Sequence, residues 1–267
     1  MRLDDYPPQE PLSEAARAYQ DEVMRRGAAV VGLEFPYGED AYQRVLICRG
    51  DRPNGTLLAC LHGGGWTNGY KEWLAFMAPA FTGAGFTFAS IGYRLAPGHL
   101  FPVGLEDART AVTMLAESAV ELGFDRERIF LGGHSAGGHY AALLAVTMPR
   151  GVLRGCLPIS GVYDFGRLSG LPMRPRFLGA EGSGNEGAAS PIERIAAKPP
   201  PFLLAHGGAD FPHLMVQAER MERALREAGG EVERLVLAGR THFSASYAGG
   251  EPDGPWVPRA IQWMNGQ

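Results

Sequence analysis

Arg128-Ile-Phe-Leu-Gly-Gly-His-Ser-Ala-Gly-Gly138 reads as a short apolar strand over 128–131, a stop on two glycines, a serine at a sharp corner, and a small-residue helix beyond. Within it, Gly133-His134-Ser135-Ala136-Gly137 fits G-x-S-x-G, the pattern of a nucleophile elbow. The spacing has a steric cause. A strand that turns directly into a helix forces its corner residue into a strained backbone conformation. Side chains two positions before and after the corner would collide, so both positions require glycine. The corner side chain then stands free at the end of the sheet, with a helix N-terminus behind it. Five residues alone match by chance in a Gly-rich chain. Here the strand before and the Ala-rich helix after, with 141–146 in its body, supply the required context.

Outward from the elbow the same alternation recurs. Residues 56–61 and 86–91 are near-continuous apolar runs, as expected of strands buried on both faces. Further strands read at 152–159, 201–206 and 231–237. Helices read at 70–81, at 214–228 (ending on Gly229-Gly230), at 256–264, and after Phe101-Pro102, where Leu105, Ala108, Val112 and Leu115 recur at helical spacing. Toward the N-terminus lie strands at 30–35 and 42–48, the turn Asp51-Arg-Pro-Asn-Gly55, and an amphipathic helix from 13 to 24 with Ser13 as N-cap. A polar, Pro-bearing arm precedes that helix. Strands alternating with helices predict an α/β fold with a mostly parallel central sheet and helices on both faces. Ligands bind outside the C-terminal strand ends of such sheets. The Gly-rich segments His62-Gly-Gly-Gly-Trp66, Gly133 to Gly138, and Gly207-Gly208-Ala-Asp210 fall there. Residues 161–200 break the rhythm with Gly, Pro and Ser, and such a stretch in a compact domain is expected to be a functional lid. With no repeat and no linker, 1–267 is expected to be a single domain carrying that small lid as an insertion.

The 267 residues are 45% hydrophobic and 20% charged, ordinary for a globular chain with a full core. A net charge of -4 without any Lys/Arg run argues against nucleic acid or an anionic membrane as partner. Cys48, Cys60 and Cys156 are odd in number, form no C-x-x-C pair and lie in apolar runs, so they are expected to be buried free thiols in a reducing compartment. The start Met1-Arg-Leu-Asp-Asp-Tyr-Pro-Pro has no apolar signal core, and no apolar run reaches membrane-spanning length. The expected location is cytoplasmic. A homodimer is compatible with the sequence and not required by it.

A serine nucleophile needs a base, and the base needs an orienting acid. For this fold type the chain order is Ser, then Asp or Glu, then His. Among the seven histidines only His206, His213 and His242 come late enough. His206 lies on the strand before the acid candidate, and His213 sits three residues past it on the same loop. His242 follows the last strand, in Gly239-Arg-Thr-His-Phe243, where a loop brings it over Ser135. Asp210, behind a strand and two glycines, is the candidate acid. Asp164 is the alternative, better suited to ordering its own loop. Glu181, Glu186 and Glu193 are expected to be solvated in the lid. An oxyanion needs preformed donors, and the N–H groups of Gly64, Gly65 and Ala136 are the candidates. His62 reads as a hydrogen-bonder that holds the glycine loop. His134 and His139 have no metal-ligand spacing to a third ligand, so neither metal nor cofactor is expected. Trp66, Tyr70, Phe165 and Tyr247 are candidates to line a substrate site, each equally suited to core packing.

Taken together, His62-Gly-Gly-Gly-Trp66, Tyr93-Arg-Leu-Ala-Pro97, Phe101-Pro102 with Glu106-Asp107-Ala108, and Gly133-His-Ser-Ala-Gly-Gly138 resemble the α/β-hydrolase esterases of the hormone-sensitive-lipase type, from about Tyr42 to the C-terminus. Two departures stand out. That group usually carries Asp where this chain has His134, and it tends to have a longer N-terminal cap. The compact N-terminus, Ser160-Gly-Val-Tyr-Asp164 and Ser190-Pro191 are more similar to the kynurenine formamidase (arylformamidase) branch and its bacterial esterase relatives. The resemblance implies an α/β-hydrolase fold, a Ser135–Asp210–His242 triad, an oxyanion hole at Gly64, Gly65 and Ala136, and a small-molecule ester or amide as substrate. It sets hydrolysis of small or aryl carboxylic esters first and formamide hydrolysis second. A non-catalytic binding protein of the same fold comes last, since such relatives usually lack a triad member.

Overall fold

A computed structural model describes residues 3–166, 169–171, 174–180, 182–196 and 198–267. Among them, eight strands form one sheet in the order β1-β2-β4-β3-β5-β6-β7-β8. They are β1 Leu33–Pro36, β2 Arg44–Cys48, β3 Leu57–Leu61, β4 Thr87–Ile91, β5 Ile129–His134, β6 Gly155–Ile159, β7 Phe202–Ala209 and β8 Val232–Thr241. The pairings β1–β2 and β2–β4 are antiparallel, and every other pairing is parallel. The helices are α1 Glu14–Gly27, α2 Ala78–Thr82, α3 Val103–Glu117, α4 Ala119–Leu122, α5 Ala136–Thr147, α6 Arg174–Leu178, α7 Asn185–Ala189, α8 Pro212–Glu227, α9 His242–Tyr247 and α10 Val257–Gly266. This is the α/β-hydrolase fold.

The apolar strands follow from burial on both faces. Along β3, Leu57, Ala59 and Leu61 face one core, with Leu105 and Val112 of α3, Tyr140 and Leu144 of α5 and Met221 of α8. Leu58 and Cys60 face the other, with Tyr19 and Val23 of α1, Trp73, Phe81 of α2 and Trp263 of α10. Period-two alternation divides β2 to β8 between the two layers. Each large apolar side chain so buried contributes about 1.5–3 kcal/mol. Leu105, Ala108, Val112 and Leu115 are all buried. Ser13 caps α1 by accepting the Ala16 N–H at 3.3 Å. Cys48, Cys60 and Cys156 are buried free thiols. Among the described residues, no helix is long and apolar enough to cross a membrane.

Three expected segments differ. The helix read at 70–81 is a 3-10 turn over Lys71–Met77 followed by α2. Pro79 has no N–H to donate back to Ala75, so a continuous α-helix cannot form there. The elbow strand does not stop at its glycines but runs through Gly132, Gly133 and His134. Those glycines stay in register with Cys60 and Leu61 on one side and Leu157 and Pro158 on the other. The 161–200 stretch, read as irregular, holds the short helices α6 and α7. Of its glutamates, Glu193 is exposed and Glu186 half-buried, and Glu181 lies outside the described residues.

Candidate active site

Ser135 sits between β5 and α5 at φ 55°, ψ −116°, a strained conformation for a residue with a side chain. The flanking glycines show why it persists. A Cβ on Gly133 would come within 2.6 Å of the Gly137 carbonyl carbon and of Leu61 O, and one on Gly137 would run into Leu61 O and His62 O. The corner closes only because both positions are bare, and it closes against the end of β3. The Ser135 N–H donates to Ile159 O at 3.0 Å.

Asp210 follows β7, and His242 opens α9 directly after β8. A capping box between Thr241 and Ser244 starts α9. The three side chains form one hydrogen-bond chain: Ser135 Oγ to His242 Nε2 at 2.9 Å, and His242 Nδ1 to Asp210 Oδ1 at 2.9 Å. Asp210 also accepts the Phe211 N–H at 2.7 Å and the Ser160 hydroxyl at 2.5 Å. Burial by itself would raise the Asp210 carboxyl. The hydrogen bond and charge of His242, with the bonds from Ser160 and Phe211, outweigh it and hold Asp210 at about 2. The carboxylate is therefore ionised and holds Nδ1 protonated, leaving Nε2 free to accept from Ser135.

The loop after β3 lies across from Ser135. Gly64 and Gly65 take φ of 115° and 61°, where glycine is favoured. A Cβ on Gly64 would collide with Asn68 O. Gly64 O accepts from Thr67 N–H and Asn68 N–H, which closes the loop into a turn. The N–H groups of Gly64, Gly65 and Ala136 have no acceptor among the described residues. His62 is fully buried behind the loop. It stacks on Tyr93 at 4.2 Å and sets Nδ1 on Gly63 O at 2.7 Å, and burial pushes it down to about 4. It is a neutral brace for the loop.

Ser135 and His242 open on a cleft of about 590 Å³. Trp66 lines it. Tyr70, Phe165 and Tyr247 do not. Tyr70 packs with Tyr6 and Trp73, Phe165 is buried against Trp66 and Phe177, and Tyr247 stacks on Tyr19. Their place in the wall is taken by Tyr19, Trp73, Phe211 and Phe243. Asp164 accepts the Gly166 N–H and pairs with Arg220 at 2.6 Å, away from His242. His206 is held by Gly207 O and Arg234. His213 lines the cleft stacked beside Phe211.

Three contributions lie outside the sequence reading. The N-terminal arm and α1 form a wall of the cleft through Pro11 and Leu12 of the arm, Ser13 at the cap, and Ala16 and Tyr19 of the helix. It is fastened to the glycine loop: the Gln9 amide donates to Gly69 O and accepts the Gly69 N–H, both at 2.8 Å, and Asn68 Nδ2 donates to Glu10 O at 2.5 Å. Glu10 pairs with Arg176 of α6, joining the arm to the 161–200 stretch. His134 and His139, neutral with burial pushing each to about 3, make buried hydrogen bonds on either side of the elbow. Ser160, at φ 51°, aims its hydroxyl at Asp210. Two of them carried a hint in the sequence: Ser160, in the Ser160-Gly-Val-Tyr-Asp164 segment quoted above, and His134, which stands where the resembling group usually has Asp.

A family model described as alpha/beta hydrolase fold matches residues 58–245. The chain is 30% identical to Esterase LipC of Mycobacterium tuberculosis over 77% of its length, and 28% identical to Esterase LipQ of the same organism over 84%. It spans 58% and 59% of those two proteins. A solved putative thioesterase from Silicibacter sp. TM1040 superposes with a TM-score of 0.77 at 24% identity, covering 97% of this chain and 98% of that one.

Proposed function

The chain belongs to the α/β-hydrolase family, and from that premise we propose that it is a carboxylesterase-type serine hydrolase. It cleaves small or aryl esters through an acyl-enzyme. The observation that carries this reading is the unbroken hydrogen-bond chain Ser135–His242–Asp210, with Ser135 and His242 in the wall of a largely apolar cleft. Esterase relatives in the family support it.

His242 Nε2 takes the proton from Ser135 Oγ as the oxygen attacks the ester carbonyl carbon. The carbonyl π electrons move onto oxygen, and the oxyanion accepts from the N–H groups of Gly64, Gly65 and Ala136. Each such donor contributes about 3 kcal/mol in the transition state. Collapse breaks the C–O bond, and the leaving alkoxide takes the proton from Nε2. Water then gives a proton to Nε2 and attacks the acyl carbon, and the second collapse returns the proton to Ser135 and frees the acid. Asp210 stays ionised and steadies the imidazolium. The 161–200 stretch shapes the substrate side, a role supported by Val162, Gly170, Leu171 and Arg176 in the cleft wall. The three buried free thiols support a cytoplasmic location.

The test is turnover of p-nitrophenyl acetate and butyrate by the native protein and by Ser135→Ala, with N-formylkynurenine run alongside. Rapid hydrolysis lost in Ser135→Ala is the expected result. Equal rates in both proteins would remove Ser135 from the chemistry. A far higher kcat/KM for the formamide would move the activity to arylformamide hydrolysis.

A further inference from the structure

His134 stands immediately before the nucleophile in sequence, yet its imidazole reaches the other end of the triad. Its Nε2 lies 2.9 Å from the main-chain oxygen of His242, 108 residues later, in a buried hydrogen bond. A carbonyl oxygen can only accept, so Nε2 carries the proton. The other ring nitrogen, Nδ1, is buried with no partner. A second proton there would be an unpaired buried donor, so the ring is held neutral. The groups facing it are the His242 ring at 4.9 Å, the Tyr19 ring at 5.7 Å and, more distantly, Asp210. We propose that His134 is a positioning residue for the base: by holding the His242 carbonyl, it sets the reach of the His242 imidazole to Ser135. The proposal rests on the serine-hydrolase reading above.

The topology explains why such a tie has work to do. Ser135 hangs from β5 inside the sheet, whereas His242 hangs from β8 at its margin, with β6 and β7 between. Three strand spacings amount to about 14 Å, and small shifts in each pairing add up at the margin. β8 is half-buried or exposed over most of its length, and α9 is only six residues long. Beside the His134 bond, α9 is held by its own capping box, by the His242 ring on Asp210, and by Tyr19, which bonds Ser246 at 2.9 Å and packs on Phe243 and Tyr247. The His134 bond bypasses the strands between. The last residue of β5 fixes the first residue of α9, so nucleophile and base are set against each other through one side chain.

Two amide variants separate the bond from simple packing. The Gln amide nitrogen reaches about as far as His Nε2, and the Asn nitrogen only about as far as Nδ1. With p-nitrophenyl butyrate, His134→Gln is expected to keep kcat within about threefold. His134→Asn and His134→Leu are expected to lose roughly 10–100-fold in kcat with KM within about twofold, the scale of an ångström-sized misplacement. Equal kcat for Gln and Asn, or a loss confined to KM, would overturn the proposal. Independently of any variant or substrate, nitrogen NMR of the histidine-labelled native protein reads the tautomer. A slowly exchanging Nε2–H on His134, coupled to the His242 carbonyl, supports the bond, and an Nδ1–H or fast-exchanging ring overturns it. A native protein without Ser135-dependent turnover would end the hydrolase reading, and the NMR result would still decide whether His134 holds His242.

Discussion

Trp66 Nε1–H donates to His139 Nδ1 at 3.0 Å, across 73 residues of sequence. The other nitrogen of the same ring reaches Ala189 O at 2.7 Å. One neutral, buried imidazole on α5 therefore holds the glycine loop at one edge and the end of α7 at the other. Trp66 takes φ 64°, a left-handed conformation costing about 1–2 kcal/mol for a residue with a side chain, and this bond is one of its restraints. His139→Leu would leave a buried indole N–H and a buried carbonyl unpaired, each costing about 1–3 kcal/mol. A loss of roughly 2–4 kcal/mol in urea unfolding is expected. A change under about 0.5 kcal/mol would mean that neither bond contributes.

Asp210 offers Oδ1 to His242 and Oδ2 to Ser160. In Asp210→Ala, nothing would hold the proton on Nδ1 or steady the imidazolium that forms when Nε2 takes the Ser135 proton. The expected loss in kcat is about 10⁴-fold, the size such a change has in other triads, with the circular dichroism spectrum unchanged. Less than a tenfold loss would remove Asp210 from the proposed triad.

Gln9 clamps Gly69 from outside the sheet. Gln9→Met keeps the shape and removes both bonds. Lower kcat at near-constant KM is expected, because the proposed oxyanion donors at Gly64 and Gly65 sit in the same loop and would matter most in the transition state. The stability cost is expected to be about 1–3 kcal/mol. Steady-state kinetics beside thermal melting checks both, and a rise in KM alone would make the arm a wall of the cleft and nothing more.

His62, His134 and His139 carry a pH signature. Burial holds them at about 4, 3 and 3 in the folded protein, against about 6.5 in an unfolded chain. Below pH 6.5 the unfolded chain binds protons that the native state refuses, so stability falls as pH falls. The full contribution is present above about pH 6.5 and drains away toward pH 4. Each histidine adds up to about 1.4 kcal/mol per pH unit. The urea midpoint should fall steeply between pH 6.5 and 4.5, and His139→Leu should make that fall shallower by about one proton. A flat profile over this range would contradict neutral burial of the three rings.

The legibility of this chain in its sequence was uneven for physical reasons. Parallel strands buried on both faces leave apolar runs that any reading finds, and a strand-to-helix corner leaves glycines at fixed offsets. Ser135, Asp210 and His242 could be selected because chain order filters candidates, and they do meet in one hydrogen-bond chain. The cleft wall was another matter. Aromatic residues carry no label for the face they occupy, so Tyr70, Phe165 and Tyr247 looked as suitable as Tyr19 and Trp73. Gln9 binds the main chain of Gly69, and His139 binds the Trp66 indole and the Ala189 carbonyl; no local pattern marks a side chain that will bind so distant a group. Pro79 is visible in the sequence, but the helical spacing around it masks the seven-residue 3-10 turn that precedes it.

The sheet order has a thermal consequence. Native proteins open first at their margins, and the imidazole of the proposed triad follows directly on the outermost strand, β8, while the hydroxyl follows on an inner one, β5. Warming should therefore silence the protein before it melts it. Inactivation should set in below the main unfolding transition and reverse on cooling, as β8 and α9 detach and reseat around an elbow that stays locked against β3. Stapling β8 to β7 with a surface cross-link would then widen the working temperature range without raising the melting temperature of the core, a route to heat-tolerant variants that leaves every group in the cleft untouched.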